Sequence, residues 1–184
     1  MERYRIHPDA AVYYLTYSVV DWLPVFISEK TCGIVADSLS FCHRNKHLRV
    51  NAFVIMPTHM HLIAFDADFD SVRLSQTLTD FRKFTGRQLS DCCGTHLPAS
   101  FASILRAHAT ADRERRFWQP SRHPEALTTE GFWQLKLDYR HDNPRRKGLV
   151  RFPQQWRFSS AAWYASEGKE LADVPLTPIC WSSH

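Results

Sequence analysis

The sequence of 184 residues has no apolar run long enough to cross a membrane, because no window approaches the roughly 18 uncharged apolar residues that a spanning helix needs. Its first residues, Met1 to Arg5, also lack the apolar core of a signal peptide. We therefore expect a cytoplasmic protein with no membrane partner.

Paired cysteines are absent as well. The chain has five cysteines, an odd number, and none of them forms a Cys-x-x-Cys motif: Cys32, Cys42, Cys92, Cys93 and Cys180. This pattern argues against a disulfide framework and against a zinc ribbon, and it favours reduced thiols.

The composition is that of a folded globular protein, with 44% hydrophobic and 23% charged residues. A chain of this length can bury the core of one domain. No internal repeat, low-complexity segment or linker divides it, so we expect a single domain over residues 1–184. Within that domain, residues 165–184 are interpreted as a weakly ordered tail.

The first half of the chain alternates strand and helix signals. Residues 11–21 are rich in β-branched and aromatic residues and predict a strand, in which Tyr13, Tyr14 and Tyr17 have packing roles. The patterns that follow predict a helix over residues 28–43, an antiparallel hairpin over 48–55 and 59–65, and a helix over 71–89 capped by Asp70.

The second half is less regular. It predicts a loop over residues 91–100, a helix over 101–113, an edge strand at 117–119, irregular chain over 120–126, a helix from 128 to about 143, and an extended segment over 148–163. An antiparallel hairpin combined with these helices indicates an α+β fold.

Two histidines lie two residues apart in the second strand of the predicted hairpin. Because side chains alternate faces along a strand, His59 and His61 point to the same side, a few ångströms apart. Two imidazoles on one rigid face are half of a metal site. The pair also has simpler interpretations, since the chain has 10 histidines and a strand histidine is often a hydrogen-bonded core residue.

A run of positive charge occupies the region from Arg140 to Arg157. Against the single acid Asp142 it contains six cations: Arg140, Arg145, Arg146, Lys147, Arg151 and Arg157. This run is either a solvated face or a surface that binds phosphates beside an active site.

The same region contains Tyr139 and Asn143, four residues apart at the end of a predicted helix, so both can face the histidine strand. Taken alone, Tyr139 is a typical core aromatic, and Asn143 is typical of the helix end before a proline.

Together these motifs resemble the single-tyrosine HUH transposases, and in particular the REP-associated tyrosine transposases. Met56-Pro57-Thr58-His59-Met60-His61 resembles the family's Met-Pro-Asn-His-apolar-His, with Thr58 in place of the asparagine. The segment from Tyr139 to Val150 resembles Tyr-x-His-x-Asn-Pro-x-x-x-Gly-Leu-Val, and Trp156 to Ser160 resembles Trp-x-x-Ser-Ser. The resemblance covers about residues 11–164.

The resemblance implies a ferredoxin-like α+β fold with an antiparallel sheet. It implies that His59, His61 and the amide oxygen of Asn143 bind a divalent metal, for which we expect Mg²⁺ or Mn²⁺. It further implies that Tyr139 is the nucleophile that cleaves single-stranded DNA through a 5′-phosphotyrosine intermediate.

The expected partner is single-stranded or hairpin DNA, at repetitive palindromic sequences, bound by a monomer or a homodimer. The expected DNA-binding residues are Arg140, Arg145, Arg146, Lys147 and Arg151.

Other proteins with a His-x-His pair fit less well. A metallo-β-lactamase needs His-x-His-x-Asp-His, whereas Leu62, Ile63 and Ala64 follow His61 here. An amidohydrolase barrel needs a longer chain, and a cupin lacks the predicted helices. The remaining alternative is a host-retained DNA-binding protein of the same fold that does not transpose.

Overall fold

The computed structural model describes residues 12–109, 115–120, 124–179 and 181, and in these ranges one antiparallel sheet of four strands forms the centre. The strands are β1 (Val12–Ser18), β2 (Leu48–Met56), β3 (His59–Asp66) and β4 (Glu125–Ala126). Their order across the sheet is β2-β3-β1-β4, so that the histidine strand β3 lies in the interior.

Six α-helices are described: α1 (Glu29–Asn45), α2 (Ser71–His96), α3 (Ala99–Ala107), α4 (Glu130–His141), α5 (Asn143–Arg146) and α6 (Ala161–Ala165). The side chains of Ser28, Asp70 and Thr129 cap α1, α2 and α4 by accepting a hydrogen bond from a backbone N–H of the first turn. No helix in the described part of the chain is both long and apolar enough to cross a bilayer.

Each face of the sheet covers its own core. Helices α1 and α2 pack on the face that carries Tyr13, Leu15 and Tyr17 of β1 and Met60 and Leu62 of β3. The alternate residues of the same strands face α4, with Val12, Tyr14, Ile63, Phe65 and Leu137 in the second core. The histidine pair belongs to this second face, by the alternation of side chains along β3.

Strand β2 has a β-bulge at Asn51, where its register with β3 shifts between Val50 and Ala52. The bulge lets the side chains before and after it reach their places in the two cores. Fully buried, Asn51 accepts a hydrogen bond from Trp133 Nε1 at 2.7 Å and donates one to the Thr177 carbonyl at 3.0 Å. Its own carbonyl accepts one from the Tyr164 hydroxyl at 3.0 Å. One polar residue thereby connects α4, α6 and the C-terminal segment to the sheet.

The predicted α+β class is confirmed, with the first strand, the hairpin and the helices that begin near residues 29, 71 and 130. The predicted loop over 91–100 is wrong, because α2 continues to His96. Buried Cys92 and Cys93 extend its apolar face, and the helix ends just before Pro98.

The predicted edge strand at 117–119 is also wrong. Trp118 makes only an isolated bridge to Val19, and Phe117 and Trp118 are buried in the core. The fourth strand is instead Glu125–Ala126, within the segment that was predicted to be irregular. Two residues are too few to show an alternating pattern.

The segment over 148–163 is not extended, because it contains a 3₁₀ turn at Pro153–Gln155 and the helix α6. Only Phe158 to Ser160 follows the edge of β2. Beyond it, Val174 is buried, and the N–H of Thr177 donates to the Val50 carbonyl at 2.7 Å. The interpretation of this region as a weakly ordered tail does not account for these contacts.

Candidate active site

The two histidines lie side by side on β3, as the spacing predicts, with ring centroids 4.7 Å apart. In the sheet, His61 lies between Thr16 of β1 and Val54 of β2. The strand is hydrogen-bonded on both sides at this position, so the pair has a rigid base.

One nitrogen of each ring is held by a neighbouring hydroxyl group. His61 Nδ1 lies 2.5 Å from the Tyr14 hydroxyl and 2.9 Å from Thr16 Oγ1. His59 Nδ1 lies 2.9 Å from the hydroxyl of Thr58, the residue that departs from the family motif. These contacts orient both rings and leave Nε2 of each as the nitrogen for a ligand.

Both imidazoles are neutral at physiological pH. Burial, followed by the positive charges of Arg140 and Lys147, lowers the pKa of His59 to about 4. Burial and the charge of Arg140 also place the pKa of His61 well below its ordinary value. Neutral rings offer the lone pair that a metal ion requires.

Arg140 is part of this site and not of an outer basic surface. Its Nη1 lies 3.4 Å from Nε2 of His61, and its guanidinium lies 4.8 Å from the ring centroids of both Tyr14 and Tyr139. An arginine can only donate, so the His61 tautomer that pairs with it has its proton on Nδ1 and its lone pair on Nε2.

Tyr139 lies on the outer side of Arg140. The residue is 43% exposed, and its ring is contacted by the guanidinium groups of Arg140 at 4.8 Å and of Arg146 at 4.4 Å. It makes no hydrogen bond or ring contact with His59 or His61 in the described structure. The predicted nucleophile is therefore accessible, and the Arg140 guanidinium contacts both its ring and His61.

Asn143 is buried at the start of α5. The helix predicted to end at about residue 143 ends two residues earlier, at His141. A short second helix, Asn143–Arg146, follows it, with Pro144, which has no N–H, in its first turn. The Asn143 amide makes no hydrogen bond to any residue that the structure describes, so its oxygen is available as a ligand.

The glycine of the motif ends α5. Gly148 has φ +71°, a left-handed conformation that favours glycine, and the next N–H, of Leu149, returns to the Pro144 carbonyl at 2.9 Å. The proline and glycine of the family signature thus mark the beginning and the end of this helix.

The remaining cations of the basic run differ in their environments. Arg145 is paired with Asp142 at 2.5 Å, and Arg146 covers the Tyr139 ring. Lys147 and Arg151 are exposed, and their side chains make no ion pair within the described ranges. These two are the most available for phosphates.

His141 lies outside the metal pair and has a structural role. Its Nε2 is 2.8 Å from Ser160 Oγ, which also accepts from the Phe53 N–H at 2.9 Å. Burial lowers the pKa of His141 to about 4, so it is neutral here. The His of the Tyr-x-His motif and the second Ser of Trp-x-x-Ser-Ser together fasten α4 to β2.

Sequence patterns missed three residues of the site, namely Tyr14, Thr16 and Trp22. Tyr14 and Thr16 alternate on β1, a signal for one shared face, but only the register with β3 places them at His61. Trp22 is 55% exposed, with its ring centroid 5.8 Å from that of His59. It has φ +54°, and Asp21 before it φ +50°, which is strained for both residues.

The donor atoms fit a divalent metal ion. Two neutral imidazoles with preset orientations and one available amide oxygen supply mixed nitrogen and oxygen ligands. No group of three histidine, cysteine, aspartate or glutamate side chains that could hold an ion is found among the described residues. Among the described residues, the third protein ligand would therefore be of another type, and the Asn143 amide oxygen is the candidate that the sequence resemblance implies.

No family model and no curated protein matches the chain. Among solved structures, the chain is similar to a REP-associated tyrosine transposase bound to a REP hairpin, with 19% identity and a TM-score of 0.64 over 99% of this chain and 96% of that one. This likeness confirms the fold that the sequence resemblance implies.

A proposed transposase from Deinococcus radiodurans R1 matches more weakly, with 16% identity and a TM-score of 0.46 over 76% of this chain and 95% of that one.

Proposed function

We propose that this chain is a metal-dependent, single-stranded DNA endonuclease and strand transferase of the single-tyrosine HUH transposase type, in the REP-associated branch. The observation that carries the proposal is the pair of neutral imidazoles on β3, each held at Nδ1, with His61 Nε2 directed towards Arg140. The shared fold and the Tyr139 to Val150 motif support the same assignment.

His59 and His61 would hold Mg²⁺ or Mn²⁺ through Nε2, with the Asn143 amide oxygen as the third protein ligand. The ion would polarise the scissile phosphate. Tyr14 and Thr16 keep the His61 ring in its orientation, and Thr58 does the same for His59. Burial of the pair keeps both rings neutral at physiological pH.

Tyr139 supplies the nucleophile. Its oxygen forms a bond to the phosphorus, the bond from phosphorus to the 3′ oxygen breaks, and the tyrosine proton ends on that oxygen. The product is a 5′-phosphotyrosine with a free 3′-hydroxyl. Because the bond that breaks is replaced by a phosphodiester bond to tyrosine, another 3′-hydroxyl can reverse the step and join strands without ATP.

The residues around the pair suit a single strand. Trp22 offers an exposed ring beside His59 on which a base can stack. Lys147, whose charge acts on His59, and the exposed Arg151 four residues further along the chain offer charge to the backbone. The solved protein of the same fold was bound to a REP hairpin. We accordingly propose hairpin DNA with a single-stranded flank as the substrate.

One observation favours a second candidate. The Arg140 guanidinium contacts both Tyr139 and the metal-facing nitrogen of His61, an arrangement that also suits a host-retained protein that binds DNA without cutting it. In that case DNA binding would be independent of divalent metal.

A cleavage assay separates the two candidates. A hairpin with labelled single-stranded flanks is incubated with the protein and Mn²⁺, Mg²⁺ or EDTA, and the products are separated on a denaturing gel. Metal-dependent cleavage with a covalent protein–DNA adduct supports the transferase. Binding without cleavage supports the DNA-binding protein, and cleavage without an adduct indicates a nuclease that uses water.

A further inference from the structure

A second concave surface, which we call the α2 cleft, lies between one face of α2 and the segment 115–118, with a volume of about 390 Å³. Its cations are Arg82, Lys83 and Arg87 on α2, and Arg115 and Arg116 on the facing segment. None of the described residues that line it is an aspartate or a glutamate. The helical residues recur at three- and four-residue intervals, so they form one continuous stripe.

The α2 cleft is on the opposite side of the sheet from the candidate active site. Leu74, Leu78 and Phe81 of α2 pack in the core that contains Met60 and Leu62. These two residues alternate with the histidines along β3 and point the other way. A ligand in the cleft therefore does not occupy the metal pair.

The positive charge of the cleft is only partly neutralised. Arg115 pairs with Asp91 at 2.6 Å, and Arg82 donates to the Gln119 carbonyl, which joins the two walls. Lys83 and Arg87 are exposed and make no ion pair with a described residue. A concave surface with more cationic than anionic side chains, some of them without an ion pair to a described residue, attracts a polyanion.

The cleft offers charge without a surface for stacking. Its two aromatic residues, Phe117 and Trp118, are only 3% and 5% exposed and belong to the core. Sites for single strands combine cations with exposed aromatic rings, as Trp22 does on the other face. A DNA duplex presents its phosphates on the outside and keeps its bases stacked inside, so it needs charge on the protein but no exposed aromatic ring.

We propose that the α2 cleft binds the phosphate backbone of double-stranded DNA, such as the stem of a hairpin. The proposal rests on the proposed function only in that DNA is the ligand. It assigns one molecule two DNA surfaces: a single-strand surface at the histidines and a duplex surface on the far side of the sheet.

The test compares Lys83→Glu/Arg87→Glu with a control of equal charge change, Arg44→Glu/Lys169→Glu, whose positions are exposed and do not line the cleft. Fluorescence anisotropy measures the binding of a labelled blunt duplex and of labelled oligothymidine over a range of salt concentrations. Inorganic phosphate is added as a competitor of the duplex. Lys83→Gln/Arg87→Gln removes the charges without reversing them, and thermal melting verifies that each variant folds.

We expect the cleft variant to bind duplex more weakly, with a salt dependence flatter by about two units of slope, since each lost phosphate contact removes about 0.9. Oligothymidine binding should persist. Equal loss in the control pair, loss confined to oligothymidine, or displacement of duplex by millimolar phosphate would overturn the proposal. His59→Ala should still bind the duplex. Binding by the α2 cleft is thereby tested independently of whether the protein cleaves DNA.

Discussion

Nη1 of Arg140 and Nε2 of His61 are 3.4 Å apart, so a side-chain cation already faces the nitrogen that a metal ion would use. The guanidinium cannot lose its proton, and two cations cannot share one lone pair. Metal binding at this nitrogen therefore requires Arg140 to move aside, where it is free to contact a phosphate.

Replacing Arg140 by methionine should strengthen metal binding. The variant keeps the length of the side chain and removes the competing charge, and Mn²⁺ affinity measured by calorimetry should rise on the order of tenfold. Arg146→Met is the control, because Arg146 covers Tyr139 without contacting the histidines. If both variants bind Mn²⁺ as the wild type does, Arg140 is not a competitor.

Replacing His59 and replacing His61 by alanine should have different effects on stability. His59→Ala should abolish Mn²⁺ binding with little change in stability, because among the described residues its ring is hydrogen-bonded only to the adjacent Thr58. His61→Ala should abolish it too and lower the free energy of unfolding by about 1–3 kcal/mol, since buried Tyr14 and half-buried Thr16 lose a partner. Calorimetry and urea unfolding measure the two effects. Metal binding that survives in both variants would contradict the ligand assignment.

Tyr139→Phe should separate chemistry from folding. The ring and its contacts with both arginines remain, so stability and DNA binding should be unchanged, while the covalent adduct and strand cleavage should disappear. Tyr164→Phe is the matched control. It loses a hydrogen bond to the Asn51 carbonyl and about 1 kcal/mol of stability, but should keep the adduct. An adduct in Tyr139→Phe would direct attention to Tyr14, since Tyr13 and Tyr17 are buried on the other face.

Trp22→Gly should weaken single-strand binding and leave the fold at least as stable. Loss of one stacked base costs about 1–3 kcal/mol, or roughly tenfold or more in Kd. Glycine adopts the positive φ of this position without strain, so the free energy of unfolding should not fall. Trp22→Phe should retain most of the affinity. Equal binding by the glycine variant would exclude stacking at this position.

Acid should weaken the junction between β3 and α2. Burial opposes ionisation of Asp66, but hydrogen bonds from Arg73 and from the Asp68 and Asp70 N–H groups outweigh it and lower its pKa. The stabilisation is therefore present above the unfolded carboxyl pKa of about 3.9 and is lost as the pH falls below that value, through the folded pKa. Unfolding curves at several pH values should show this loss in the wild type and a smaller one in Asp66→Asn.

The sequence sufficed for the parts of the site that depend on local geometry. A period of two places His59 and His61 on one face whatever the rest of the chain does. The caps at Ser28, Asp70 and Thr129 likewise follow from their own neighbours.

The other parts depend on pairing between distant segments. Tyr14 and Thr16 reach His61 only through the register of β1 against β3, across more than 40 residues of sequence. Arg140 belongs to a run that looks uniformly basic, and only the packing of α4 directs it inward. Because β4 has two residues, its pairing is decided by β1 and not by its own pattern.

The bulge at Asn51 changes which positions of β2 face the helices α1 and α2. Before it, Leu48 and Val50 face α1 and α2, and after it Phe53 and Ile55 do, so the parity of inward positions changes at this one residue. Deleting Asn51 would remove the bulge and leave Ala52, Phe53 and Val54 on their present faces, because Ala52 would then follow Val50 in a regular register with β3. What the deletion would remove is the pair of side-chain hydrogen bonds that join Asn51 to Trp133 and Thr177, and with them the attachment of α4 and of the C-terminal segment to this strand.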